Sequence, residues 1–370
     1  MPLVGWEDLQ RPAVSDPNRR VWELVAERVH DPERPMPPTG VMAPTDVTAL
    51  DAWAAAGALA GESVCDGATG KPDDAAQSGP ASLSCRPDVS VLAFGDGPDE
   101  RYRIPADQVN HNACFAIRAP WQGDRQVIGM APVLDDERFV HHIILFATQS
   151  PQPEGPFPCD GNLPADAVGI GGWAPGATNL ELPPDVGLDV GGDEVWLVLQ
   201  IHYWNGVGAT DALDRSGMAL CTTAEPRAQR ASVTALGTLN IFVPPRAAAT
   251  ASGRCTPRMQ QPVHVLGLTP HMHRSGRTIE TIVHRAGGAG RETLLRVDPW
   301  DFDRQIQHPS DAVLMPGDVL ETTCTWENAS SRRIYFGEGT EDEMCFQFVL
   351  AYPAGELHNG GLAGDRACID

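Results

Sequence analysis

The sequence lacks most of the features that would assign it quickly. It has no basic run, and its 27 Lys and Arg face 49 Asp and Glu for a formal charge of −22. That balance argues against nucleic acid or an anionic membrane surface as partner. No stretch approaches the roughly 18 apolar residues of a membrane helix, and the richest run, Val195 to Trp204, is strand-length. No Cys-x-x-Cys pair occurs among the nine cysteines, and no His-Glu-x-x-His occurs at all. A zinc ribbon, a covalent haem attachment and a zinc hydrolase of that type are therefore not written here. Met1 to Gln10 has neither a basic start nor an apolar core, so the chain is expected to be a mature or truncated form whose secretion signal is missing.

What is there points outward from the cytosol. Nine cysteines without metal spacing read as a disulfide framework with one thiol left over, which implies a secreted or periplasmic protein. A length of 370 residues accommodates two ordinary cores and a smaller unit. Residues 1–62 form that unit: Val21, Leu24, Val25 and Val29 repeat at helical spacing, and Thr45-Asp46 can cap a second helix ending near Gly57. The segment from His30 to Pro38, followed by Leu50, Trp53 and Ala56-Gly57-Ala58, resembles the back half of a cytochrome c domain with Met36 as its axial thioether. The front half is absent, so a helical remnant without haem is expected. Residues 63–90 are rich in Gly, Ser, Asp and Ala and carry Cys65 and Cys85, as a linker clipped by a local disulfide would.

From about Val91 the texture changes to short β-branched and aromatic runs broken by Gly and Pro. This predicts a mainly β fold of two tandem antiparallel, jelly-roll-like sandwiches, 91–228 and 229–370, divided in the polar segment Thr222 to Arg230.

Four strand-like contexts carry candidate ligands: Val140-His141-His142-Ile143, Gln200-Ile201-His202-Tyr203, Pro270-His271-Met272-His273 and Asp342-Glu343-Met344-Cys345. A histidine on an apolar strand is more often a hydrogen-bonded core residue than a ligand, and a lone methionine is more often core. Alternation puts His271 and His273 on one face, about 7 Å apart at Cβ, close enough to chelate one ion. The adjacent pair His141-His142 points to opposite faces in an ideal strand, so a bulge, or one ring binding through Nδ1, is required to bring them together. All-imidazole sites suit zinc or copper, whereas a thioether favours cuprous copper. Met344 therefore decides between the metals.

Together these residues resemble the copper type II, ascorbate-dependent monooxygenases, the family of dopamine β-hydroxylase and the peptidylglycine hydroxylase, over roughly residues 105–368. The resemblance implies one copper on His141, His142 and His202 and a second on His271, His273 and Met344, the latter three being the catalytic set. It implies O₂ and an ascorbate-like reductant as co-substrates, with the three-histidine copper storing the second electron, and an electron-donor domain or protein as partner. It also implies disulfides Cys114–Cys159, Cys255–Cys368 and Cys324–Cys345, and leaves Cys221 without a clear partner. Where the peptidylglycine enzyme holds a substrate carboxylate, this chain has Thr269, Phe346 and Phe348, which form no charge-assisted pair. A small apolar or aromatic substrate follows, although both rings also read as core. A non-catalytic copper-storage module is the competing reading.

Overall fold

The structure is a computed structural model that describes residues 9–13, 16–31, 44–59, 83–153, 155–159, 163–164, 166–175, 177–206, 208–302, 304–337, 341–359 and 367–369. The chain divides into two compact units, residues 1–75 and 76–370.

In the first unit, helix α1 (Val21–Arg28) is opened by a capping box, in which Glu23 Oε2 accepts from the Arg20 backbone N–H at 2.7 Å. Helix α2 (Pro44–Ala55) starts on proline, whose missing N–H costs nothing in a first turn. The chain leaves α2 through Gly57 at φ +84°, a left-handed position that glycine adopts without a Cβ clash. Trp22 and Trp53 meet edge-on at 6.4 Å, and the His30 ring lies 2.7 Å from Asp51. The helical reading of this region agrees with these elements. Met36, the expected axial thioether, lies outside the described residues.

The second unit is mainly β. Its longer strands are β1 (Val89–Leu92), β2 (Asn110–Arg118), β3 (Gln126–Val133), β4 (Val140–Thr148), β5 (Val168–Trp173), β6 (Val186–Asp189), β7 (Trp196–Trp204), β8 (Gly217–Thr223), β9 (Gln229–Gly237), β10 (Ala247–Cys255), β11 (Val263–His271), β12 (Gly276–His284), β13 (Arg291–Val297), β14 (Val319–Asn328) and β15 (Phe346–Tyr352). One five-stranded sheet runs from Pro156–Pro158 through β2, β7 and β4 to β5. A four-stranded sheet has the order β10, β14, β12, β13. An eleven-stranded sheet has the main path His308–Pro309, β11, β15, β9, β6, β3, β8, β1.

Alternation explains the layers. In β7, Leu197, Leu199 and Ile201 are fully buried on one face and share a core with Phe115 and Leu145 from the neighbouring strands of the same sheet and Met130 and Leu220 from the eleven-stranded sheet. Each such burial stabilises by about 1.5–3 kcal/mol. A second core gathers Leu236, Val263, Leu268, Leu320 and Val349. Gly237 is required where β9 passes the residue after Met344, because a Cβ there would lie 1.9 Å from the Cys345 carbonyl oxygen.

Two features depart from a purely antiparallel pair of sandwiches. Strand β6 pairs parallel with β9, Val186 to Leu188 facing Gln229 to Ala231, and β9 also pairs parallel with Ala367–Ile369. The first pairing fuses strands from the two halves into one sheet. Arg227 braces it, donating from Nη1 to the Pro183 and Val186 carbonyls at 2.7 and 2.8 Å.

The disulfides are Cys85–Cys221, Cys114–Cys159, Cys255–Cys368 and Cys324–Cys345. The expected local clip Cys65–Cys85 is thus corrected: Cys85 joins Cys221, 136 residues away. The pairing of β8 with β1 brings Leu220 opposite Val89, which carries Cys221 to the segment just before β1. Cys65 lies outside the described residues. Peptide mapping without reduction is expected to recover Cys85 joined to Cys221, and replacing both by serine should cost about 2–5 kcal/mol in denaturant unfolding. A Cys221 peptide that alkylates fully without reductant would contradict the pairing.

Candidate metal centres

The first histidine cluster is built by a bulge. In the β4–β7 pairing His142 stands opposite His202, but the next pair is Val140 with Tyr203. His141 is therefore the extra residue, and the bulge re-aims its ring toward that of its neighbour. The Nδ1 atoms of His141 and His142 lie 3.1 Å apart, a gap that two bonds of about 2 Å to one ion span near a right angle. The rings of His141 and His142 lie 4.9 and 5.0 Å from that of His202. One ligating nitrogen from each of the three falls within 4.8 Å of the others. Asn110 Oδ1 lies 3.2 Å from His202 Nε2 and accepts its proton, which leaves Nδ1 of His202 as the bare donor.

The second cluster forms where β11 ends. His271 is its last residue, Met272 is fully buried beyond it, and the rings of His271 and His273 stand 5.2 Å apart and nearly perpendicular. Each ring has its tautomer fixed by a partner. His271 Nδ1–H donates to Gln305 Oε1 at 2.6 Å, and the Gln305 amide donates in turn to the Phe302 carbonyl at 3.0 Å. His273 Nδ1–H donates to the Asp342 carbonyl at 3.1 Å. Both histidines therefore present Nε2.

Glu343, fully buried, ties this cluster to Met344. Its carboxylate accepts from the backbone N–H of His273 at 2.9 Å, Ser275 at 2.8 Å and Met344 at 3.3 Å. The Ser275 hydroxyl donates at 2.6 Å and Trp326 Nε1 at 2.8 Å. Disulfide Cys324–Cys345 closes the same corner.

Burial disfavours the charged form of three of these rings. Desolvation, then the neighbouring histidines, holds His142 well below its ordinary value. Desolvation first and His141 second lower His202 to about 3, and desolvation with His273 lowers His271 to about 3. His271 and His273 are among the groups that disfavour a proton on His142, so the two clusters lie within electrostatic reach of each other.

A cavity of about 300 Å³ opens between them. His142 and His271 each line it, together with Met130, Trp173, Thr269 and Phe348. Of the three residues expected to shape a substrate pocket, Thr269 and Phe348 line this space. Phe346 is buried behind Phe348, with ring centroids 6.0 Å apart. Sequence reasoning missed Glu343, Gln305, Asn110 and Phe302. Only Glu343 left a signal, as the acid immediately before the candidate methionine.

The comparisons with known proteins agree with this geometry. Residues 99–209 match the model "Copper type II ascorbate-dependent monooxygenase, N-terminal domain", and residues 229–366 match the corresponding C-terminal domain. The chain belongs to this family. It is 30% identical to "DBH-like monooxygenase protein 2" of Mus musculus over 278 residues, 68% of this chain and 44% of that protein. It is also 30% identical to "Dopamine beta-hydroxylase" of Bos taurus over 283 residues, 69% of this chain and 46% of that protein. The chain thus spans about half the length of the curated relatives it matches. Among solved structures, the VP2 subviral particle of infectious bursal disease virus aligns at TM-score 0.17 and 11% identity, over 78% of this chain and 77% of that one, and carries no argument.

The lowered histidines set a pH dependence. The unfolded chain takes up protons near the ordinary value of 6.5 that His142, His202 and His271 refuse when folded. Stability of the metal-free protein is therefore complete above 6.5 and falls as pH drops from there toward about 3. Each such histidine contributes a slope of about 1.4 kcal/mol per pH unit. Urea midpoints at pH of about 7.5, 6 and 5 should fall in that order; a flat profile would contradict the burial of these rings.

Proposed function

We propose that this chain is the catalytic core of a two-copper monooxygenase, which hydroxylates a C–H bond of a small apolar or aromatic molecule with O₂ and an ascorbate-like reductant. The observation that carries this reading is that two unlike sets of histidines each give one ring to the same apolar cavity. A storage module has no use for a shared chamber of this kind.

The donor sets fit copper. His141, His142 and His202 would hold one ion through imidazole nitrogens, and His271, His273 and Met344 the other. Bound there, copper would supply one-electron redox chemistry at both sites and, beside the thioether, the activation of O₂. The chain's own residues do the rest. Gln305 and the Asp342 carbonyl hold the protons of His271 and His273 on Nδ1, keeping Nε2 free. Glu343 holds His273 and Met344 to one frame. Thr269 and Phe348 shape the apolar wall on which a substrate lies, with the buried Phe346 backing Phe348. None of these three residues pairs with a carboxylate.

The remaining parts fall into place around that core. Residues 91–228 and 229–370 are read as the two jelly-roll-like domains, residues 63–90 as a linker whose last part, from Cys85, is fastened to the first domain, and residues 1–62 as a cytochrome c-like remnant without haem. Four disulfides support a secreted or periplasmic site of action, and a separate domain or protein supplies electrons.

Two measurements test the assignment. Met344→Ile should abolish hydroxylation and lower bound copper from two ions per chain to one; full activity in that variant would sink it. In a substrate panel with ascorbate and copper, arylalkyl compounds should turn over in preference to peptides ending in glycine, by at least about tenfold in kcat/KM. Preference for the glycine peptides would overturn the pocket.

A further inference from the structure

We infer that Phe302 is a positioning residue that sets the separation of the two histidine clusters; this rests on the reading that both clusters are metal centres. Its ring stacks on His141 of the first cluster, with centroids 4.9 Å apart and planes 26° from parallel. The same ring meets His273 of the second cluster edge-on at 6.4 Å and 82°. One side chain therefore touches a member of each set.

The backbone that carries this ring is anchored on both sides to the second cluster. Before it, Trp300 is buried, donating its Nε1–H to the His273 carbonyl at 3.1 Å and its backbone N–H to Arg277 at 2.7 Å. After it, Gln305 donates to the Phe302 carbonyl at 3.0 Å while accepting from His271. The loop thus moves with His271 and His273. What it presents to the other half of the molecule is the phenyl ring, which reaches His141 on the bulge of β4.

The surroundings suit an aromatic ring and no aliphatic one. Aromatic rings attract one another in offset or edge-on geometries, and a cation is held over a π face. Phe302 has all three contacts: a stacked imidazole, an edge-on imidazole, and the Arg274 guanidinium 5.5 Å above its centroid. The Arg274 charge is itself felt at His202, so the cation and the ring reach the first cluster together. Phe302 belongs to none of the hydrophobic cores and is only half-buried. Truncating it therefore removes a spacer without opening a core.

The test reads a distance and needs no catalysis. Spin labels carried by non-canonical amino acids at the exposed positions Val109 and Met315, one in each half, are compared by pulsed dipolar spectroscopy in metal-free full-length protein. The parent is expected to give one narrow distribution, Phe302→Ala one about twofold broader, and Phe302→Trp a width restored to that of the parent. Thermal midpoints should stay together, since no core is touched. An unchanged width in Phe302→Ala, or a parent distribution already as broad as the variant's, overturns the inference. Copper analysis of the parent is run in parallel. Fewer than two ions per chain would defeat the two-copper reading, while the metal-free distances still decide the role of Phe302.

Discussion

The second centre hangs on one buried carboxylate. Glu343 accepts five hydrogen bonds from four residues, and these come from three separate pieces of chain: the turn after β11, the far end of β14, and Met344 itself. A buried carboxylate without donors is among the most costly things a protein can hold, and one saturated with them is among the most restrictive. No donor can leave without costing the buried carboxylate one of the bonds that make its burial tolerable. The cost of burying the acid is what makes the positions of His273 and Met344 hard to disturb.

The two histidine sets are held by different logic, and the difference matches their places in the fold. The first sits in the middle of a sheet, where backbone pairing on both sides of β7 fixes His202 opposite His142 and Asn112. It needs only a bulge and one amide, Asn110, to aim its nitrogens. The second starts on the last paired residue of a strand, His271 opposite Phe346, and runs past its end to His273, where the ladder no longer helps. Side chains and carbonyls therefore replace the ladder there, with Gln305, Asp342 and Glu343 doing what register does in the first.

Much of this was legible in the sequence because it is local. Alternation in the β7 run foretold its buried face, helical spacing foretold α1, and two adjacent histidines in a strand demanded the bulge that the β4–β7 register contains. What could not be read depends on contacts distant along the chain. Cys85 gives no hint of Cys221, because their meeting follows from the pairing of β8 with β1. The parallel pairing of β6 with β9 follows from how two halves dock, which no local period encodes. Phe302 and Gln305 lie in a loop without periodicity, and their importance comes only from what lies across from them.

That parallel pairing also bears on how anything enters the chamber. Enzymes that close by swinging two domains about a hinge need a linker free to absorb large backbone rotations, and such motions run on microsecond to millisecond scales. Here the polypeptide leaving the first half enters a strand already hydrogen-bonded to that half, with Arg227 holding the junction. Widening the chamber by a large domain rotation would mean shearing a sheet, which leaves between the halves only the slight rocking whose range Phe302 narrows. Admission is then a matter of fit at the doorway instead of rearrangement of the house.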